Sequence, residues 1–158
     1  MNHYLYLDSP IGGLQITTSD EQLTALSFCD GPQQPDRPDR LAVEVRRQLQ
    51  AYFSRERRNF ALPLAPRGTA FQQKVWAALQ TIPFGSTCSY LQLSRQLGDE
   101  KAIRAVAGAN GRNPIAIVIP CHRVIGSDGQ LVGYSGGLWR KKWLLSLEDV
   151  LLQQELPF

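Results

Sequence analysis

The sequence predicts an α/β protein, more specifically of the α+β type. A small N-terminal α/β domain covers residues 1–65, and a mostly helical domain covers residues 66–158. Three observations predict this fold. Apolar and polar residues alternate early in the chain, helical spacing dominates later, and residues 62–68 contain two prolines and a glycine, which is typical of a linker. The length of 158 residues suffices for one domain or two small ones.

The N-terminal domain is predicted to contain three strands and a helix. Alternation over residues 3–7 and 14–18, with two glycines between them, predicts a hairpin, and residues 23–29 predict a third strand. Apolar residues then recur at helical spacing between residues 41 and 53. We find no chemistry in this domain and expect it to act as a scaffold.

The second domain is predicted to contain several short helices. Thr69 can cap a helix with a broad apolar face, which residues 83–85 break. Residues 90–97, ended by Gly98, and residues 101–110 predict two further helices joined by a tight turn. This pattern suggests a helix-turn-helix, although an ordinary helical hairpin is the commoner structure.

The helix over residues 101–110 has two different faces when its residues are placed at about 100° intervals. Ile103, Val106 and Ala107 fall on one side, which we assign to the core. The opposite side is basic at one end and otherwise small, and it carries Lys101, Arg104, Ala105, Gly108 and Ala109. Such a face can enter a narrow groove. Residues 67–158 also carry ten basic against six acidic residues, so this part of the chain is the better partner for a polyanion.

A cysteine and a histidine follow the apolar run at residues 117–119. Cys121 lies beside His122, and an imidazole can help to convert a thiol into the thiolate, which is the reactive form. Neighbouring side chains of an extended strand point to opposite faces, so direct contact requires a turn in the backbone. A bridging water is the alternative. A buried, inert cysteine is the unreactive interpretation.

The residues around this pair resemble the acceptor motif of the O6-alkylguanine-DNA alkyltransferases. The resemblance covers residues 66–150 strongly and the earlier part of the chain loosely. Its motifs occur in the order and spacing of that family: Phe84-Gly85, Ser89-Tyr90, Arg104-Ala105-Val106, Asn113-Pro114, Pro120-Cys121-His122-Arg123-Val124, Gly133-Tyr134-Ser135-Gly136-Gly137 and the helix from Lys141 to Glu148.

The resemblance implies a role for each motif. It makes Cys121 the alkyl acceptor, activated through a water by His122, with Glu148 orienting the histidine. It makes Asn113 a bridge between the recognition helix and the active-site turn. The remaining assignments are substrate binding by Tyr90, Arg104, Tyr134, Ser135 and Lys141, and DNA binding by Lys101, Arg104, Ala105, Gly108, Ala109, Arg112 and Arg123.

The implied reaction is direct and irreversible transfer of an alkyl group from O6 of guanine to Cys121, after minor-groove binding and base flipping. Arg104 would fill the space that the base leaves, Tyr90 would help to rotate the nucleotide, and residues 132–137 would close the pocket. Lys141 would favour a depressed thiol pKa. Ala116 stands where the family often has proline, so we expect a roomier pocket wall. A non-catalytic recognition module for alkylated DNA and a thiol hydrolase remain open alternatives.

The implied partner is double-stranded DNA containing O6-alkylguanine, with O4-alkylthymine left open as a second substrate. We expect a monomer, with cooperative binding on DNA left open, and neither a cofactor nor a metal site. Three cysteines without paired spacing predict reduced thiols and a cytoplasmic location. We expect no association with a membrane, because no apolar run approaches about 20 residues.

Overall fold

Two units, each with its own core, make up the computed structural model, which describes residues 1–129, 131 and 133–150. One unit consists of residues 1–67 together with residues 114–118. The other begins at Gly68, runs to Asn113 and resumes at Ile119. None of the described helices is both long enough and apolar enough to cross a membrane.

The first unit is built on an antiparallel sheet in the order β1–β2–β3, with a helix packed against it. Its elements are β1 (Asn2–Ser9), β2 (Gly12–Ser19), β3 (Gln22–Cys29) and α1 (Arg40–Phe53). Strand alternation buries Leu5, Ile16 and Leu26 on one face of the sheet. The predicted hairpin, third strand and helix are therefore confirmed.

Residues 114–118 add a short parallel bridge to β3. The Leu26 N–H donates to Pro114 O at 2.9 Å, and the Ala116 N–H donates to Leu26 O at 3.0 Å. The Val118 N–H then bonds to Ala116 O at 2.8 Å across Ile117, whose φ is +71°. This is a γ-turn of the rarer hand, and it strains a β-branched residue.

The second unit contains two helices that begin with a full capping box. α2 (Ala70–Leu79) begins after Thr69, and α3 (Tyr90–Gln96) begins after Ser89. Gly98 follows α3, and its φ of +91° stops the helix from continuing. A single 3₁₀ turn (Glu100–Ala102) then leads into α4 (Ile103–Gly111), which confirms the predicted pair of short helices joined by a tight turn.

Two further elements position the residues after α4. The short strands β4 (Cys88–Ser89) and β5 (Val124–Ile125) pair in parallel, so the start of α3 is fixed beside the residues that follow Cys121. α5 (Leu138–Leu147) begins after Gly137, whose φ is +93°.

The two faces of α4 differ in part from the prediction. Val106 is buried, and Arg104, Ala105 and Gly108 are exposed, as predicted. However, Ala107 is exposed and Ala109 is buried, so the assignment of Ala109 to the DNA-binding face is wrong. The core stripe runs through residues 106, 109 and 110, because Trp76 Nε1 donates to Ala109 O at 2.9 Å and holds that side of the helix against α2.

Candidate active site

Cys121 lies in a tight turn and not in an extended strand. Its N–H donates to Ile119 O at 2.8 Å around Pro120, whose φ of −82° and ψ of +63° form an inverse γ-turn. A 3₁₀ turn (Cys121–Arg123) follows directly. Asn113 Nδ2 also donates to Ile119 O at 2.8 Å, so the side chain just beyond α4 holds the backbone that presents the cysteine. The backbone therefore turns at this point, as direct contact between the Cys121 and His122 side chains would require.

Glu148 joins the two residues that follow Cys121. Its Oε2 accepts from His122 Nε2 at 2.8 Å and from Arg123 Nη2 at 3.0 Å, and its Oε1 accepts from Arg123 Nε at 2.7 Å. Burial alone raises the pKa of Glu148, but the hydrogen bonds and charges of His122 and Arg123 outweigh burial and lower that pKa to about 2. Glu148 is therefore a carboxylate at neutral pH.

The carboxylate fixes the tautomer of His122. Because a carboxylate only accepts hydrogen bonds, the hydrogen in this contact belongs to Nε2, and the lone pair of the neutral ring lies on Nδ1. Nδ1 is buried and has no protein hydrogen-bond partner within the described part of the chain. Burial lowers the pKa of His122 below its ordinary value, although Glu148 opposes this. At pH 7 the ring is neutral, and Nδ1 is the atom that can take a proton.

Arg123 is part of this cluster, and its predicted contact with DNA is wrong. Only 7% of the residue is exposed, and its Nη1 donates to Ile82 O at 2.7 Å. The guanidinium also donates two hydrogen bonds to Glu148, so its N–H groups are bonded to other parts of the protein. Its positive charge stabilises the buried carboxylate that orients His122.

The thiol of Cys121 is protonated at rest. Burial raises its pKa, while a hydrogen bond from Asn113 and the charge of Lys141 act in the opposite direction without reversing the shift. Lys141 therefore acts on the thiol pKa in the predicted direction, but burial outweighs it. Since the thiolate is the nucleophile, a base must remove the proton during the reaction.

Lys141 is fully buried and points its ammonium group at backbone carbonyls. Nζ donates to Val124 O at 2.5 Å and to Gly133 O at 3.1 Å, and it lies 5.9 Å from the centre of the Tyr90 ring. Burial lowers the pKa of Lys141 to about 8, and the Cys121 thiolate raises it. The lysine therefore remains mostly charged at pH 7, close to the two groups that the chemistry would use.

A cavity of about 400 Å³ opens beside Cys121. Its wall contains five of the residues that the sequence singled out, namely Tyr90, Arg104, Cys121, Tyr134 and Ser135. Burial raises the pKa of Tyr134 well above its ordinary range, so its hydroxyl keeps its proton. The cavity is of a size that accommodates a small planar ligand.

The remaining predicted residues occupy other positions. Lys101, Ala105, Gly108 and Arg112 are exposed and do not line this cavity. Their contact with DNA stays a prediction, as does the effect of Ala116, which belongs to the first unit. Val132, where the predicted pocket closure begins, lies outside the described residues.

Asn110 lines the cavity and was not singled out from the sequence. Its Nδ2 lies 3.5 Å from Tyr90 Oη and 3.5 Å from Cys121 O. The available signal was a polar residue on the core stripe of a helix, a position that ordinarily carries an apolar side chain.

The arrangement contains the parts of a nucleophilic displacement. It has a thiol in the wall of a cavity, a neutral imidazole with a free lone pair, a carboxylate that orients the imidazole, and a buried cation. Such a set can generate a thiolate next to an electrophile that is held in the cavity.

Two family models match this chain. Residues 2–66 match the ribonuclease-like domain of 6-O-methylguanine DNA methyltransferase, and residues 70–150 match its DNA-binding domain.

Individual relatives match over nearly the whole chain. A methylated-DNA–protein-cysteine methyltransferase of Mycolicibacterium paratuberculosis is 50% identical over 94% of this chain and 93% of its own length. One of Methanosarcina acetivorans is 45% identical, over 92% and 97% respectively. The crystal structure of Mycobacterium tuberculosis OGT in complex with DNA has a TM-score of 0.85 and 48% identity, covering 93% of this chain and 92% of that one.

Proposed function

Because this chain belongs to the 6-O-methylguanine DNA methyltransferase family, we propose that it repairs DNA by moving an alkyl group from O6 of guanine to the sulfur of Cys121. One observation carries the assignment of the acceptor. Cys121 lies in the wall of the cavity, and the next residue along the chain, His122, is hydrogen-bonded to the buried Glu148 carboxylate. The other two cysteines, Cys29 and Cys88, are not in that wall.

The reaction begins with the thiol proton. His122 Nδ1 takes it, directly or through one water, and the resulting imidazolium is stabilised by the Glu148 carboxylate. The thiolate attacks the alkyl carbon, a C–S bond forms, and the C–O6 bond breaks with its electron pair remaining on oxygen. The guanine therefore leaves as an anion and regains a proton, so that the sum of the reaction is a thioether plus an ordinary guanine.

The leaving guanine requires stabilisation while negative charge builds on it. Lys141 supplies a positive charge near the thiolate, and the Tyr90 and Ser135 hydroxyl groups in the cavity wall can donate hydrogen bonds. None of these groups can hydrolyse a thioether. Each molecule would therefore act once, as a stoichiometric reagent.

The exposed face of α4 is the proposed contact with double-stranded DNA. Arg104 supplies positive charge within α4, and Lys101 and Arg112 supply it just before and just after the helix. Ala105 and Gly108 lack the bulk that would keep the helix out of a minor groove. Arg104 both lines the cavity and is exposed, which suits a side chain that replaces a base rotated into the cavity. We also propose that the chain acts as a monomer. A cytoplasmic location is proposed because all three of its cysteines are free thiols.

A titration of substrate against protein tests this proposal. A duplex with one O6-methylguanine is mixed with increasing amounts of protein, and the modified nucleoside that remains is measured by chromatography after digestion. The expected loss is one O6-methylguanine per protein molecule, with no further loss on longer incubation. Repeated turnover would contradict the proposal, and binding without loss would favour a recognition module.

A matched duplex with O4-methylthymine determines whether that base is a second substrate. The buried Cys–His–Glu set would also suit a thiol hydrolase, which would turn over a small ester and leave the modified duplex intact.

A further inference from the structure

Asn110 is a buried amide whose hydrogen-bonding capacity is not met by the described residues. The residue is 4% exposed, and its Oδ1 has no hydrogen-bond partner among the described residues. The two contacts of its Nδ2, to Tyr90 Oη and to Cys121 O, are both at the long limit of 3.5 Å. Burying an amide in this way is unfavourable, so stability does not explain an asparagine here.

Gln48 in α1 shows how the same chain satisfies a buried amide. Gln48 is 2% exposed, its Nε2 donates to Glu44 Oε2 at 2.7 Å and to Ala61 O at 3.1 Å, and its Oε1 accepts from the Ala61 N–H at 2.9 Å. Gln48 therefore contributes to the stability of its surroundings, whereas Asn110 combines long contacts with an unpaired oxygen.

The neighbours of Asn110 determine which way its amide faces. Cys121 O is a carbonyl oxygen and can only accept, so the amide nitrogen must be the atom turned toward it. The same nitrogen then donates to Tyr90 Oη, which must use a lone pair. As a consequence, the hydroxyl hydrogen of Tyr90 is directed away from Asn110.

The Tyr90 hydroxyl has a hydrogen to direct. Burial raises the pKa of Tyr90, and only the hydrogen bond from Asn110 opposes this, so the phenol stays protonated at neutral pH. Tyr90 and Asn110 both line the cavity that contains Cys121. A phenol in this wall, with its hydrogen directed away from Asn110, can donate to a leaving group that becomes negative.

We propose that Asn110 is a positioning residue that orients the Tyr90 hydroxyl as a hydrogen-bond donor toward the departing guanine. This inference rests on the proposed alkyl-transfer function. Asn110 acts through Tyr90 and takes no part in bond making or breaking. Asn110 also contacts both the Tyr90 hydroxyl and the Cys121 backbone, so one side chain positions the hydrogen-bond donor relative to the nucleophile.

The test is a double-mutant cycle with a stability measurement. The second-order rate of alkyl transfer from an O6-methylguanine duplex and the Tm are measured for Asn110→Leu, for Tyr90→Phe and for the double variant. Asn110→Leu is expected to slow transfer about tenfold in the unmodified chain, because the amide that directs the hydroxyl is then missing. It should have no further effect in the Tyr90→Phe background, which has no hydroxyl to orient.

The stability measurement separates positioning from a structural role. We expect Asn110→Leu to keep or raise the Tm, since it removes an unpaired buried oxygen. The matched control Gln48→Leu should lower the Tm and leave the rate unchanged. A lower Tm for Asn110→Leu, with the same rate loss in both backgrounds, would overturn the positioning role. Absence of transfer by the unmodified chain would instead overturn the proposed function, and this inference with it.

Discussion

Replacement of Glu148 by glutamine tests the buried cluster behind Cys121. The carboxylate accepts one hydrogen bond from His122 and two from Arg123. A glutamine side chain carries only one acceptor oxygen, and its NH₂ group would face N–H donors. The variant also leaves the Arg123 guanidinium buried without a counter-ion.

The expected cost follows from the pKa of Glu148. The pKa falls from 4.5 to about 2, which means that the folded state favours the charged form of Glu148 by about 3 kcal/mol relative to the unfolded chain. Removing one partner of a buried ion pair ordinarily costs about 3 to 5 kcal/mol, which agrees. We therefore expect Glu148→Gln to lower the free energy of unfolding by about 3 kcal/mol at pH 7.

Urea denaturation followed by tryptophan fluorescence measures this difference. Glu100→Gln is the matched control, because Glu100 pairs with Arg95 at a similar distance of 2.8 Å but its side chain is 58% exposed. That control should cost less than about 1 kcal/mol. If Glu148→Gln also cost less than about 1 kcal/mol, the buried ion pair would not be a major source of stability.

The pH dependence gives a second check on the same variant. Since the folded-state pKa of Glu148 is lowered, its stabilising effect is complete above about pH 4.5 and is lost as pH falls toward about 2. The stability difference between the unmodified chain and Glu148→Gln should therefore shrink over that interval. A difference that stayed constant down to pH 3 would contradict the assignment of the lowered pKa to Glu148.

Three further predictions concern the chemistry and the DNA contact. The rate of alkyl transfer should fall as pH rises through about 8, because Lys141 loses its proton there. A Lys141→Met variant, measured over pH 6.5–9.5, should not show this fall. His122→Gln should abolish the base at Nδ1 and lower the transfer rate by at least about a hundredfold, measured in single-turnover assays at pH 7.5. Arg112→Gln should weaken duplex binding and reduce the slope of log binding constant against log salt concentration by about 1, without changing the Tm. Arg123→Gln should instead lower the Tm, because Arg123 is buried. If both variants weakened binding equally and neither changed the Tm, this distinction would be refuted.

Local sequence signals predicted the elements of the fold well. Thr69 and Gly98 were identified as helix boundaries because capping and positive φ are properties of single residues and their immediate neighbours. Strand alternation likewise predicted the sheet. The bridge from residues 114–118 to β3 was not predicted, because pairing between distant segments leaves no periodic signal in either one.

The core stripe of α4 shows where periodicity is misleading. Asn110 is buried, so a search for apolar residues rotates the inferred stripe toward Ala107 and away from Ala109. The hydrogen bond from Trp76 to Ala109 O, which fixes the true orientation, depends on a residue 33 positions earlier. Tertiary contact thus decides which small side chains face solvent.

The candidate site was predicted mainly through the resemblance. Short motifs far apart in sequence are brought to one cavity, and composition alone would not have grouped Tyr90 with Tyr134. Arg123 was assigned to DNA because a sequence shows its charge and not its burial. The sequence likewise predicted the effect of Lys141 on the thiol pKa but not the larger, opposite effect of burial.

The central claim is that Cys121 receives the alkyl group, and intact-protein mass with peptide mapping tests it most directly. The protein is incubated with a duplex containing O6-methylguanine, alongside a Cys121→Ser control and an unmodified duplex. We expect a gain of one methyl group per protein molecule, mapped to the peptide with Cys121 and absent from both controls. A methyl group on Cys29 or Cys88, or loss of the modified base without any gain in protein mass, would show that Cys121 is not the acceptor.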